Sequence, residues 1–211
     1  MVVLTGRVAV VTDAEHPGLR PDDAPLDAAF RRLEREVVPV PWGTPIETGA
    51  FDLVLVRSPW DYFLRPEAFL GWVEGLETPL VNPAAVLRWN HDKRYLVELA
   101  ERGAGRLPRT AVLEADERPR SADEVLSLVD AARAVVKPVV SAGAHRTRVV
   151  RPGEAIEWSD EDGGAYFVQE FVDAVVDRGE WSLVFLGGAY SHAVRKTATA
   201  GDFRVREEFG G

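Results

Sequence analysis

The chain contains no cysteine, which removes disulfides, thiolate metal sites and cysteine nucleophiles together. It is also short of positive charge: 25 Lys and Arg stand against 34 Asp and Glu, a formal net charge of −9 at pH 7. A nucleic-acid binder or a membrane-surface binder needs a basic face, so neither partner is expected. A local cationic pocket for a small anion remains compatible with that balance. Long apolar runs are missing too. The opening MVVLTGRVAVVT is too short for a signal peptide or a membrane span and reads as a first core strand. These absences fit a cytoplasmic protein. What is present is an ordinary globular composition, 46% hydrophobic over 211 residues, enough for one large domain or two small ones.

The first part reads as an open α/β sheet. Arg7–Thr12 (RVAVVT) is a β-branched run of the kind buried on both faces. An amphipathic helix is expected over Leu26–Glu36, with Leu26, Ala29, Phe30 and Leu33 on one side. Strands follow at Val37–Pro41 and Phe51–Val56, then a helix at Pro66–Leu76 and a short strand at Pro79–Asn82. Ligands of such sheets lie beyond the carboxyl ends of the strands. That rule points to Asp13 and Glu15 after the first strand, and to Arg57 through Tyr62 after the third. Arg57 and Asp61 carry the chemistry of that loop, while Trp60 and Tyr62 also suit a core or a rim.

Asn82-Pro83 has the form of a helix start, with a capping Asn and Pro at the first helical position. A further helix is expected over Asp92–Arg102, stopped by Gly103. From Pro108 the pattern changes to short strands around one helix, Ser121–Ala132, which is an α+β signature. The domain boundary is placed at 86/87. Tyr166–Val172 reads as a strand, and Trp181–Gly187 with Ala189–Arg195 as a hairpin about Gly187-Gly188.

The most informative stretch runs from Val135 to Val150. A buried-strand pattern ends in Lys137, small residues follow at Ser141, Ala142, Gly143 and Ala144, and a second β-branched strand begins. Small residues let backbone N–H groups approach an anion closely, and a lysine at the strand end sets a point charge on a phosphate oxygen. The spacing is neither that of a P-loop nor that of a dinucleotide fingerprint. Lys93 by itself also suits a solvated helix face, Gln169 through Val172 an edge strand, and Glu180 a surface carboxylate. His145 and His192 have no partner at metal-ligand spacing.

Taken in order, Asp92-Lys93, Lys137, the Ser141–Ala144 turn, Gln169-Glu170-Phe171-Val172, Gly179-Glu180-Trp181-Ser182, Arg195-Lys196 and Gly201-Asp202-Phe203-Arg204 resemble the ATP-grasp superfamily of carboxylate–amine ligases. The likeness covers the whole chain and is strongest to the glutathione synthetase/RimK-like branch. The phrases RSPWDY and NPAAVLRWNHDKRYL are similar to the cyclo-ligases of cycloserine biosynthesis.

The resemblance implies a pre-ATP-grasp α/β domain over residues 1–86 and an α+β ATP-grasp domain over 87–211. It implies ATP and Mg²⁺ as cofactors, with a small carboxylate and an amine as substrates. Lys93, Lys137, Ser141 and Gly143 would hold the phosphates. The backbone of Gln169, Glu170, Phe171 and Val172 would read adenine, and Glu180 would bind the ribose hydroxyls. Arg195, Lys196 and Arg204 would face the γ-phosphate and the carboxylate under activation. Arg57, Asp61 and Tyr62 would contact substrate. Lys137 is expected in one cleft with Glu170 and Glu180.

The resemblance also places the magnesium carboxylates after the Gly210-Gly211 loop, so no metal ligand is expected within residues 1–211. On that expectation the 211-residue chain binds nucleotide weakly and does not turn over. The hairpin edge would then be completed by other chain, as in a homodimer.

Overall fold

The computed structural model describes residues 6–158 and 164–198. Contacts divide the chain into two compact units, Met1–Gly105 with Val139–His145, and Arg106–Pro138 with Arg146–Gly211.

The first unit is built on a four-stranded parallel sheet in the order β2-β1-β3-β4, with β1 Arg7–Thr12, β2 Glu36–Pro41, β3 Leu53–Val56 and β4 Leu80–Val81. The β-branched run of β1 is explained by its central place. Val8 and Val10 pack with Val37 and Phe30, whereas Ala9 and Val11 pack with Val40, Val54 and Trp72. The period-2 alternation thus supplies both sheet faces. Helix α1, Ala24–Arg32, provides Phe30, and α2, Pro66–Glu74, provides Trp72 and buries Phe69, Leu70 and Val73. Each buried Val or Leu contributes roughly 1.5–3 kcal/mol.

Several expected boundaries shift. The first helix spans residues 24–32 rather than 26–36, and Leu33 lies beyond its end, mostly exposed. Pro83 is itself the N-cap of α3, Ala84–Asn90, and no side chain caps that helix, so Asn82 does not fill the expected role. The next helix, α4, is shorter than expected at Tyr95–Glu101. Asp92 instead closes a turn, accepting the Arg94 N–H at 2.8 Å.

The second unit contains an antiparallel sheet in the order β5-β8-β6-β7, with β5 Thr110–Leu113, β6 Ala134–Pro138, β7 Arg148–Val150 and β8 Tyr166–Glu170. Helix α5, Ala122–Leu128, covers one face through Ala122, Val125 and Leu126, which pack on Leu113, Ala134, Val136, Val150, Tyr166 and Val168. Ser121 caps it, accepting the Glu124 N–H at 3.2 Å, and acidic residues fill its first turn. The helix ends at Leu128 and not at Ala132, because Asp130 turns to φ +45°.

After α6, Ala174–Arg178, the hairpin β9 Glu180–Leu186 and β10 Ala189–Lys196 forms. Among the described residues these two strands pair only with each other. Trp181, Leu183, Phe185 and Tyr190 are all more than half exposed on it. Gly179 opens the hairpin at φ +80°, and a Cβ there would sit 2.4 Å from the Lys196 carbonyl oxygen. Gly179→Ala should therefore destabilise by roughly 2 kcal/mol or more. Amide exchange over residues 180–196 measures it; unchanged protection would show that the strand pair absorbs the methyl.

Candidate functional site

In the second unit the face of the sheet opposite α5 carries a polar chain. Lys137 pairs in register with Phe167, and Val135 with Gln169, so alternation puts Lys137, Phe167 and Gln169 on one face. The Lys137 Nζ donates to Gln169 Oε1 at 2.8 Å, and Gln169 Nε2 donates to Thr110 Oγ1 at 3.0 Å. Thr110 in turn donates to the Pro108 carbonyl at 2.6 Å. The amide of Gln169 is thereby fixed at both ends, and it aims the ammonium. Nζ also sits 5.4 Å from the Phe167 ring centroid. Burial holds the Lys137 pKa below its ordinary 10.5, and the Glu180 carboxylate pulls weakly the other way. Such an under-compensated ammonium is a natural anion acceptor.

Glu170 does not share that face. Its carboxylate accepts from Arg109 Nε at 2.7 Å and from the Arg109 backbone N–H at 3.1 Å, and these bonds lower its pKa. The expectation of one cleft for Lys137, Glu170 and Glu180 is corrected to this extent, because residue 170 alternates to the side of Val168 and α5. The side-chain capture has a consequence for the backbone. The Glu170 N–H donates to the Arg109 carbonyl at 2.9 Å, while the Arg109 N–H goes to the carboxylate rather than to the Glu170 carbonyl. That leaves the Glu170 carbonyl outside the bond its register would assign. The Phe171 N–H donates to the Arg133 carbonyl at 2.9 Å, and the Val172 carbonyl accepts from Val175 at 3.0 Å.

Arg195 and Lys196 do not form one cationic group. Being adjacent on β10, they point to opposite faces: the Arg195 guanidinium lies 6.0 Å from the Trp181 ring centroid, and Lys196 Nζ lies 3.1 Å from Glu180 Oε1. Arg204 lies outside the described residues.

In the first unit Lys93 precedes α4 as a half-buried side chain, not a solvated one. Its Nζ donates to the Val139 carbonyl (3.2 Å), the Ser141 carbonyl (2.9 Å) and Ser141 Oγ (2.7 Å). The loop it ties down has Gly143 at φ +61° and Ala144 at φ +57°, with open space where a Gly143 Cβ would stand. With the His145 N–H donating to the Ala142 carbonyl at 2.9 Å, these two left-handed residues make a tight turn.

Beyond the carboxyl end of β3 the first unit holds a cavity of about 240 Å³, lined also by residues of α2 and α3. Arg57, Trp60, Tyr62, Phe69, Asn90 and His91 are among its lining. Burial raises the Tyr62 pKa, so its phenol stays a hydrogen-bond donor. Asp61 is committed elsewhere, accepting from Trp42 Nε1 at 2.5 Å. Asp13 is buried and turned inward, accepting the His16 N–H at 2.7 Å and the Trp60 N–H at 3.3 Å; Glu15 is exposed.

The sequence alone did not single out Asp23, which is fully buried and accepts from the Arg20 N–H (3.2 Å) and Ser58 Oγ (3.3 Å). Arg57 Nε lies 3.1 Å from its Oδ1, off the line of a hydrogen bond, so that attraction is coulombic. Pro21-Asp22-Asp23 has the look of an ordinary acidic first turn, which hid this partner.

Among the described residues no group of three or more His, Asp or Glu side chains converges as a metal site. No described helix is long and apolar enough to cross a membrane.

These features, an α/β unit with a cavity beyond the end of β3 and an antiparallel unit with a half-buried lysine on the sheet face opposite α5, are those of the ATP-grasp fold. A RimK domain ATP-grasp protein from Sphaerobacter thermophilus shares the fold with a TM-score of 0.57 at 21% identity, over 79% of this chain and 64% of that one. D-alanyl-alanine synthetase A from Vibrio cholerae does so with a TM-score of 0.59 at 12% identity, over 99% of this chain and 71% of that one.

Residues 8–82 match the family described as D-cycloserine synthetase DcsG, N-terminal domain. The cycloserine biosynthesis protein DcsG of Streptomyces lavendulae is 32% identical over 206 residues, covering 92% of this chain and 68% of that protein. The crystal structure of D-cycloserine synthetase DcsG superposes with a TM-score of 0.78 at 29% identity, over 90% of this chain and 68% of that one. The chain belongs to the DcsG family of ATP-grasp ligases.

Proposed function

We propose that the chain works as an ATP-dependent ligase that activates a small carboxylate as an acylphosphate and joins it to a nitrogen nucleophile. Ring closure within one amino-acid derivative is the form of that reaction favoured by the likeness to the cycloserine protein. The observation that carries the proposal is Lys137, a half-buried ammonium aimed by Gln169 and Thr110 on the open face of the second unit's sheet.

On this proposal Lys137 bonds a phosphate oxygen and Glu180 takes the ribose hydroxyls, releasing Lys196. The Glu170 carbonyl, kept out of the ladder by the Arg109 contact, accepts from the adenine amino group, and the Val172 N–H donates to the ring beside it. From the first unit, Lys93 with Ser141 and Gly143 supplies a phosphate-binding turn. Arg57 and Tyr62 hold the carboxylate substrate in the cavity at the end of β3. The chemistry asks the chain for positioning and charge compensation, not for a covalent nucleophile. The carboxylate oxygen attacks the γ-phosphorus and ADP leaves. The nitrogen then attacks the acyl carbon, phosphate leaves, and the nitrogen loses a proton.

Phosphate release from ATP, assayed across small amino acids and their derivatives, tests this. Release that depends on a carboxylate substrate would support the ligase reading and set aside the expectation, drawn from the resemblance, that residues 1–211 do not turn over. ATP binding without any such release would favour a nucleotide-binding protein without turnover.

A further inference from the structure

The second unit holds a cavity of its own, about 340 Å³ in volume and lined by Arg146, Thr147, Arg148, Glu157, Trp158 and Tyr166. Strand register fixes the side of the sheet on which its arginine stands. Arg148 pairs with Val136 and Val150 with Ala134, and those three apolar partners all pack in the core under α5. Arg148 therefore stands on the α5 side of the edge strand β7, whereas Lys137, next to Val136, faces the other way. The Arg148 guanidinium lies 5.2 Å from the Trp158 ring centroid, and its Nη2 is buried without an acceptor among the described residues. Burial pulls the Arg148 pKa down, with Tyr166 and Glu157 acting the other way. A charged donor buried without an acceptor is costly, and a native fold seldom keeps one without a use for it. The aromatic wall beside it is held in place. Trp158 Nε1 donates to the Pro119 carbonyl at 2.8 Å, and the Trp158 and Tyr166 rings meet edge to face with centroids 4.8 Å apart.

The planar fork of an arginine matches a carboxylate or a phosphate equally well. Glu157 decides between them. Its carboxylate lines the same cavity and repels a phosphate dianion more strongly than a monoanion. The two rings call for an apolar body attached to that anion. We infer that this cavity is a further ligand site, in which Arg148 takes the carboxylate of a small monoanionic acid while Trp158 and Tyr166 hold its apolar body. The site is independent of the nucleotide reading, so its test contains no ATP.

Titration of the chain with 3-phenylpropanoate tests this, with 3-phenylpropylamine and inorganic phosphate as the contrasting probes. The carboxylate should bind about tenfold tighter than either and should shift the Trp158 indole ¹⁵N–¹H resonance. Arg148→Met keeps an apolar stem and should weaken the carboxylate about tenfold. Arg148→Lys, which keeps the charge but not the fork, should weaken it about threefold. Glu157→Gln should bring phosphate to within about threefold of the carboxylate. Carboxylate binding that leaves Trp158 unmoved in the wild-type chain, or that keeps full strength in both Arg148 variants, lies elsewhere and overturns the inference. Phosphate binding as tight as the carboxylate in the wild-type chain overturns the choice of ligand. Failure of all three probes to bind overturns the site itself.

Discussion

Replacing Lys137 by alanine should lower ATP affinity roughly 10- to 100-fold, the scale of one charge-assisted hydrogen bond. The size follows from position, since the ammonium is half-buried, is directed by Gln169, and has only the Glu180 charge set against its desolvation. The pH dependence is fixed by the same facts. The folded pKa lies below the ordinary lysine value of 10.5, so between the two the unfolded chain carries more protons. Lys137's contribution to stability therefore rises with pH across that window. ATP affinity moves the opposite way, falling as the ammonium loses its proton. Lys137→Ala should flatten both dependences. Chemical denaturation and nucleotide titration over an alkaline pH series would show it, and affinity insensitive to the substitution would place the phosphates elsewhere.

The second large effect is on stability. Asp23→Ala should destabilise by roughly 2–3 kcal/mol, somewhat less than the loss of a fully buried pair because Arg57 is partly exposed. It strips the Arg20 N–H and Ser58 Oγ of an acceptor and leaves Arg57 without its nearest counter-charge. Asp23→Asn keeps an acceptor for both and should cost less than half as much. Denaturant midpoints for the pair give the comparison; equal losses would mean that the charge of Asp23 does the holding and its hydrogen bonds do little.

The strands were the most legible part of the sequence. Arg7–Thr12 coincides with β1 residue for residue, because a β-branched run buried on both faces leaves no other place for itself. Helix ends were less legible. Asp130 and Pro83 act through backbone dihedrals that composition does not display. At the site, the sequence pointed to Lys137 and Gln169 as separate features. Their union, and the part of Thr110, depends on the lateral order β5-β8-β6, which no local pattern encodes. The partnership of Glu170 with Arg109 joins residues 61 positions apart and was invisible for the same reason. The opposite directions of Arg195 and Lys196, by contrast, follow from strand alternation alone once the hairpin is recognised.

The central claim is that the ammonium of Lys137 receives the phosphates of ATP. The most direct measurement is calorimetric titration of ATP across an alkaline pH series, in two buffers of different ionisation enthalpy. A phosphate bonded to Lys137 raises its pKa, so binding should take up protons in the wild-type chain, and Lys137→Ala should bind weakly with no uptake. ATP binding of undiminished strength in Lys137→Ala, with the same proton uptake, would contradict the claim.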